Sequence, residues 1–285
     1  MTVEEAVGLG KSALRVIGES EREIESNIYF LLSSVLNTET SKLKSNQSLE
    51  LIPEQIKKYN NCLERRLTFE PAQYITGETE FWSLPIMVGD GVLVPRQDTE
   101  TLTAEINKYF QKKEDNFLFL DMCCGSGCIG ISLLDSFPNS KVVFSDKYLK
   151  PIEYTKKNLK RLNFDTRAVV TVSDMFSSIK SSEKFDAIVS NPPYIPSNDL
   201  KSLSMQITLF EPIEALQAGD SGLVYYQIFA SEAKHFLKPN APLFLEIGYN
   251  QAEDVIELFR SAGWQDPKVL LDLAGNARVL FVRNN

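Results

Sequence analysis

From Asn116 onward the chain alternates short apolar runs with helical stretches, and this alternation constrains its fold more than any other feature. The strand-like runs fall near 116–121, 141–146, 168–173, 185–190, 241–248, 267–273 and 278–283. Repeated βα units joined by right-handed crossovers predict a mainly parallel sheet covered on both faces. The last two runs, VLLDL and RVLFV, are separated only by Ala274 to Ala277, which is short enough for an antiparallel hairpin. Sheets of this kind bind ligands beyond the carboxyl ends of their strands. Asp121, Asp146, Asp174 and Asn191 sit at such ends and are the first candidates for a site.

The stretch NFLFLDMCCGSGCIG (Asn116 to Gly130) reads as a buried strand ending in Asp121, a glycine-rich turn and a helix opened by small residues. KVVFSD follows and ends in a second acid, Asp146. Gly125 and Asp146 are 21 positions apart, close to the spacing of about 20 that sets a carboxylate against a ribose hydroxyl. A nucleoside-containing cofactor follows. Gly125 to Gly130 also fits GxGxxG, the fingerprint of a dinucleotide site, where a pyrophosphate faces a helix N-terminus. Asp121, four residues before Gly125, suits a cationic ligand better than an anionic one. S-adenosylmethionine carries an ammonium and a sulfonium and no phosphate. Asp121 can also be read as a helix or turn cap.

The second constellation is Asn191-Pro192-Pro193-Tyr194, directly after the apolar run FDAIVS. The prolines fix φ, remove two N–H donors and extend the residues before them. The result is a stiff strand-end loop offering an amide, two carbonyls and an aromatic ring. Such acceptors fit a planar amino group on an sp2 centre, and Tyr194 is placed to stack on that plane. The same residues also read as a simple Pro-Pro turn leaving a strand.

Together, DMCCGSGCIG, the acid at Asp146, SDMF (Ser173 to Phe176) and NPPY resemble a class I methyltransferase acting on planar nitrogen. The segment QYITGETEFWSLPIMVGDGVLVPRQDTETL (Gln73 to Leu102), with EPIEAL, DSGLVYY, LEIGYNQ and GNARVL, makes the resemblance closer to the PrmC/HemK family. That family methylates the glutamine side-chain amide in the GGQ loop of peptide-chain release factors. The resemblance is clear over about residues 73 to 283 and one of character only before that.

It implies an α/β, class I S-adenosylmethionine-dependent methyltransferase fold: a seven-stranded, mainly parallel sheet with a small N-terminal helical domain joined by a β-hairpin. The implied cofactor is S-adenosyl-L-methionine, contacted by Asp121, Cys123, Cys124, Gly125, Ser126, Gly127, Asp146, Asp174, Met175 and Asn191. The implied catalytic residues are Asn191, Pro192 and Tyr194. Substrate would meet Asn191, Pro192, Pro193, Tyr194, Arg96 and Glu100. For Arg96 and Glu100 a salt bridge at a helix start is an equal reading. The chain departs from the family pattern where Cys123 replaces a usual glycine, Met175 a usual tryptophan, and Pro95-Arg96-Gln97-Asp98-Thr99-Glu100 a common PRPxTE.

At 285 residues the chain has room for two domains. Helix-period apolar positions from Val7 to Val35 and the absence of proline before Pro53 predict a helical bundle. We expect a helical substrate-binding domain over 1–72, a linker with a β-hairpin over 73–97, and a catalytic domain over 98–285. Gly89-Asp90-Gly91 is the expected hairpin tip, and a helix is expected from about Asp98 to Phe110. Thirty basic against 38 acidic residues, a net charge of −8, disfavour nucleic-acid adenine methylation, the alternative activity, because phosphate contacts need clustered Lys and Arg. Lys156, Lys157, Lys160 and Arg161 read as a solvated helix face. The cysteines lack the second cluster a zinc site requires. His235 and Phe81 read as surface or packing residues. No export signal precedes the first helix and no apolar run is long enough to span a bilayer. The expectation is a cytoplasmic monomer whose partner is a release factor, without direct nucleic-acid or membrane contact.

Overall fold

The structure, a computed structural model, describes residues 1–180 and 182–285. Five helices come first: α1 (Val3–Leu14), α2 (Glu21–Leu36), α3 (Thr40–Ser45), α4 (Pro53–Leu67) and α5 (Ala72–Thr76). Then follow β1 (Glu78–Phe81), β2 (Leu84–Met87), α6 (Glu100–Tyr109), β3 (Leu118–Met122), α7 (Cys128–Ser136), β4 (Lys141–Asp146) and α8 (Leu149–Arg161). The remainder is β5 (Ala168–Val172), β6 (Ala187–Ser190), α9 (Met205–Phe210), α10 (Val224–Glu232), β7 (Pro242–Glu246), α11 (Ala252–Ser261), β8 (Gln265–Leu271) and β9 (Ala277–Arg283).

The chain divides into two compact units. One holds Met1–Glu78 together with Ser204–Phe210, the other Thr79–Leu203 and Glu211–Asn285. The first division thus falls at Glu78, and a short piece of the second half of the chain joins the helices. In the helical unit, Thr2 and Ser20 accept N–H bonds from Glu5 and Glu23, whose side chains answer in reciprocal capping boxes, so each helix start is fixed by its own sequence. Leu14, Ile24, Ile28, Leu31, Leu32 and Tyr59 form its core. Arg66 is fully buried there, paired with Glu19 and donating to Gln206 of α9 at 2.9 Å.

The second unit is built on a seven-stranded sheet ordered β5-β4-β3-β6-β7-β9-β8. The first five are parallel, and β9 runs antiparallel to both β7 and β8. Strands β4, β6 and β7 are buried almost throughout, whereas the edge strand β5 has no fully buried residue and leaves Val169 and Val172 exposed. This contrast is expected between strands covered on both faces and one at a margin. From β3 the chain winds outward through β4 and β5, then returns to the other side of β3 as β6 and β7. The order reverses between β3 and β6, and the crevice at such a reversal is where ligands bind.

The hairpin corrects one expectation. Its turn is Trp82-Ser83, both at positive φ (53° and 60°), and not Gly89-Asp90-Gly91. Positive φ at both central positions is the turn that matches strand twist. Trp82 N–H is held by the Glu100 carboxylate at 2.9 Å, a distant partner that local turn chemistry does not announce. Phe81 is a buried packing residue and His235 lies exposed on the surface. Lys156, Lys157, Lys160 and Arg161 form an exposed face of α8.

Candidate active site

A cavity of about 520 Å³ opens at the carboxyl ends of β3, β4 and β6. Its wall includes Arg96, Thr99, Cys123, Cys124, Gly125, Ser126, Asp146, Asp174, Met175, Asn191 and Pro193. The parallel register brings together the ends of β3, β4 and β6, and segments before α6 and on α10 add to the wall.

The glycine turn is held from beneath. Thr155 of α8 donates to the Gly125 carbonyl at 3.0 Å, and Asn158 donates to the Ser126 carbonyl at 2.9 Å. Gly127, at φ 81°, caps α7. Asp146 accepts from the Gly125 N–H and the Tyr148 N–H, both at 3.0 Å. It is nearly buried, and desolvation raises its carboxyl above the ordinary range.

Of its two sequence readings, Asp121 follows the cap and not the ligand contact. It is fully buried and is not part of the cavity wall; its Oδ2 accepts from the Gly130 N–H at 2.8 Å, in the first turn of α7. Only glycine fits at 130, because a Cβ would come within 2.3 Å of the Phe144 ring. Asp121 therefore fills the anion position that a pyrophosphate occupies in dinucleotide folds. Its Oδ1 has no hydrogen-bond partner among the described residues, and burial pushes the group up to about 7. With Asp121 already in that anion position and Asp146 on the wall, the turn suits a ligand without phosphate.

Two departures from the family pattern meet in the wall. Cys123 and Met175 both have positive φ (57° and 49°), and Cys123 Sγ lies 3.9 Å from Met175 Sδ. Left-handed backbone explains why glycine is usual at 123. Burial raises the Cys123, Cys124 and Cys128 thiols, the last to about 12. No group of metal-ligating side chains occurs among the described residues. At the rim, Lys147 and Asp174 form an ion pair at 2.8 Å.

The NPPY loop is fixed at both ends. Asn191 Nδ2 donates to the Thr99 hydroxyl at 3.1 Å, leaving Oδ1 as an acceptor. Pro193 reaches the cavity, whereas Pro192 is buried and outside its wall. Tyr194 also lies outside the wall: its hydroxyl donates to Glu246 at 3.4 Å and its carbonyl accepts from Gln251 at 3.0 Å. The ring packs against the core and supports the loop from below, so it offers no stacking face to the cavity. Arg96 lines the cavity and pairs with buried Glu211 at 2.6 Å, while Glu100 is outside the wall and holds the hairpin turn. Thr99, Thr155, Asn158, Glu211 and Glu246 escape a motif-based reading. Glu211 and Glu246 do lie in the EPIEAL and LEIGYNQ segments, and an acid inside an apolar strand end is the one signal that marks Glu246.

A seven-stranded sheet ordered β5-β4-β3-β6-β7-β9-β8, with only β9 antiparallel and a glycine turn between two acidic strand ends, is the fold of the class I methyltransferases. The chain matches the methyltransferase small domain over residues 99–245 and the PrmC N-terminal domain over residues 5–77. It is 34% identical to a bifunctional methyltransferase of Rickettsia felis, over 98% of this chain and 58% of that protein. It is 32% identical to the release factor glutamine methyltransferase of Caulobacter vibrioides, over 99% of this chain and 96% of the relative. The fold is similar to that of the T. thermophilus 16S rRNA N2 G1207 methyltransferase, solved with AdoMet and guanosine. The TM-score is 0.52 at 17% identity, over 73% of this chain and 50% of the other. The chain belongs to the PrmC release factor glutamine methyltransferase family. It spans little more than half the length of the bifunctional relatives it matches. No helix among the described residues is long and apolar enough to cross a membrane.

Proposed function

We propose that the chain transfers a methyl group from S-adenosyl-L-methionine to the side-chain amide nitrogen of the glutamine in the GGQ loop of a peptide-chain release factor. The observation that carries this reading is the Asn191 amide, whose donor end is tied to Thr99 and whose acceptor end is left for a ligand. When bound, the cofactor supplies an electrophilic methyl group on a sulfonium. Asp146 would hold its ribose hydroxyls, Cys123 and Met175 its adenine face, and Asp174 the rim beside it.

An amide nitrogen is a poor nucleophile, because its lone pair is delocalised into the carbonyl. Asn191 Oδ1, the acceptor on the cavity wall, would accept an N–H bond of the substrate amide and stabilise the positive charge that develops on nitrogen. Holding the partners in a near-attack arrangement contributes about 7–11 kcal/mol. Orientation therefore carries most of the reaction. The product nitrogen is acidic until it loses a proton, and water suffices to take it. In this reading residues 1–72 hold the protein partner, 73–97 link, and 98–285 perform the transfer.

The test is incubation with radiolabelled S-adenosylmethionine, release factor carrying GGQ or GGA, and DNA as a control. Label on the GGQ factor alone supports the proposal. Label on DNA, or equal label on the GGA factor, overturns it.

A further inference from the structure

Glu246 ends β7, one residue beyond Leu245, which pairs with Ser190 in the parallel register. That register sets its carboxyl beside the start of the Asn191 loop. The residue is 1% exposed, and its Oε2 has no hydrogen-bond partner among the described residues. Arg278, the nearby cation, directs its ion pairs to Asp98 and Asp272 instead. A buried acid in this state is costly, and an apolar side chain of similar volume would fill the space at less cost. Packing does not account for it.

Its neighbours do. The Tyr194 hydroxyl donates to Oε1, the Thr99 hydroxyl lies beside the carboxyl, and Thr99 accepts from the Asn191 amide at 3.1 Å. A hydroxyl has one hydrogen and two acceptor lone pairs. Where Glu246 is ionised it can only accept, so the Thr99 hydrogen is drawn to it and the Thr99 oxygen faces Asn191 as an acceptor only. It then selects the NH2 end of the Asn191 side chain and leaves the carbonyl end for the ligand.

We propose that Glu246 is a positioning residue for the Asn191 clamp, fixing through Thr99 which end of the asparagine amide is offered to the substrate. This deepens the amide-transfer reading and rests on it for its effect on turnover. A glutamine at 246 both donates and accepts, so it removes the polarity while keeping the volume.

The test uses the full chain with Glu246→Gln, Thr99→Val and Thr99→Ser, read in two ways. The first is kcat and KM with S-adenosylmethionine and purified GGQ release factor. The second, without substrate, is the pair of 1H–15N side-chain amide signals of Asn191, assigned by their loss in Asn191→Ala. Glu246→Gln and Thr99→Val are expected to lower kcat by about ten- to a hundredfold, with both KM values within about threefold, and to shift the amide pair. Thr99→Ser should recover most of the Thr99→Val loss. A kcat within about twofold of wild type, with unmoved amide signals in Glu246→Gln, overturns the proposal. If that variant fails to fold, Thr99→Val decides by the same readings. If wild type labels no release factor, the proposed function fails separately, and the amide signals alone decide this one: a shift supports it and no shift overturns it.

Discussion

Cys123 Sγ rests 3.9 Å from Met175 Sδ, so two of the positions at which this chain leaves its family's pattern are in contact with each other. A small thiol in place of a glycine and a flexible thioether in place of an indole form one coupled exchange, in which Met175 follows the surface that Cys123 presents. Cys123→Gly and Met175→Trp should each weaken cofactor binding, and the double variant by less than their sum. The expected coupling is about 0.5–1.5 kcal/mol by calorimetry, and strict additivity would show the two positions to be independent.

Asn191→Ala should lower turnover by about a hundred- to a thousandfold. Cofactor affinity should stay within a few-fold, since the glycine turn and Asp146 are untouched. Asn191→Asp keeps an acceptor oxygen but loses the donor to Thr99, leaving a polar partner unmatched at about 1–3 kcal/mol. Its single-turnover rate is expected between those of Asn191→Ala and wild type.

Asp146→Ala should weaken cofactor binding and, unlike a purely ligand-facing change, also destabilise the fold. Its carboxylate accepts from two backbone N–H groups, of Gly125 and Tyr148, and leaving these unmatched costs about 1–3 kcal/mol. Calorimetry and urea unfolding read the two effects separately. Unchanged affinity would remove Asp146 from the ribose role.

Asp121 and Glu246 are buried carboxyls, each pushed up to about 7 by desolvation, from 3.8 and 4.5 respectively. Between those lower values and about pH 7 the folded chain keeps protons that the unfolded chain has released, so the contribution of these groups is full in acid, falls across that interval and is gone above about pH 7. Urea unfolding should show Glu246→Gln gaining relative to wild type as pH rises from about 4.5 to about 7, with the difference constant above that. A parallel pH dependence in the two proteins would contradict the shift.

The sheet was legible because strands covered on both faces are written as apolar runs, and their acidic or amide ends mark the crevice without further help. Asp146 and Asn191 are visible for that reason. Asp121 stands at the right strand end, but its capping of Gly130 depends on how closely α7 approaches β3, which Gly130 permits and no motif states. Tyr194 is conspicuous in sequence as a loop aromatic, yet Glu246, 52 residues away, draws its hydroxyl inward. The hairpin tip is missed because Trp82 and Ser83 adopt a conformation favoured by glycine and asparagine, with Glu100 supplying the restraint. Arg96 pairs with Glu211 across 115 positions, a distance at which spacing carries no information.

The passage of Ser204–Phe210 into the helical unit means that the protein cannot be divided by a single cut. Deleting everything before Thr79 would remove Arg66, the partner of Gln206, and strand α9 with Met205 and Leu209 already half open to solvent. The orphaned strip would hang between the NPPY loop and Glu211, whose carboxylate secures both Val94 and Arg96. Amputating the amino-terminal helices would thus leave seven residues of the remaining chain without the unit they pack into.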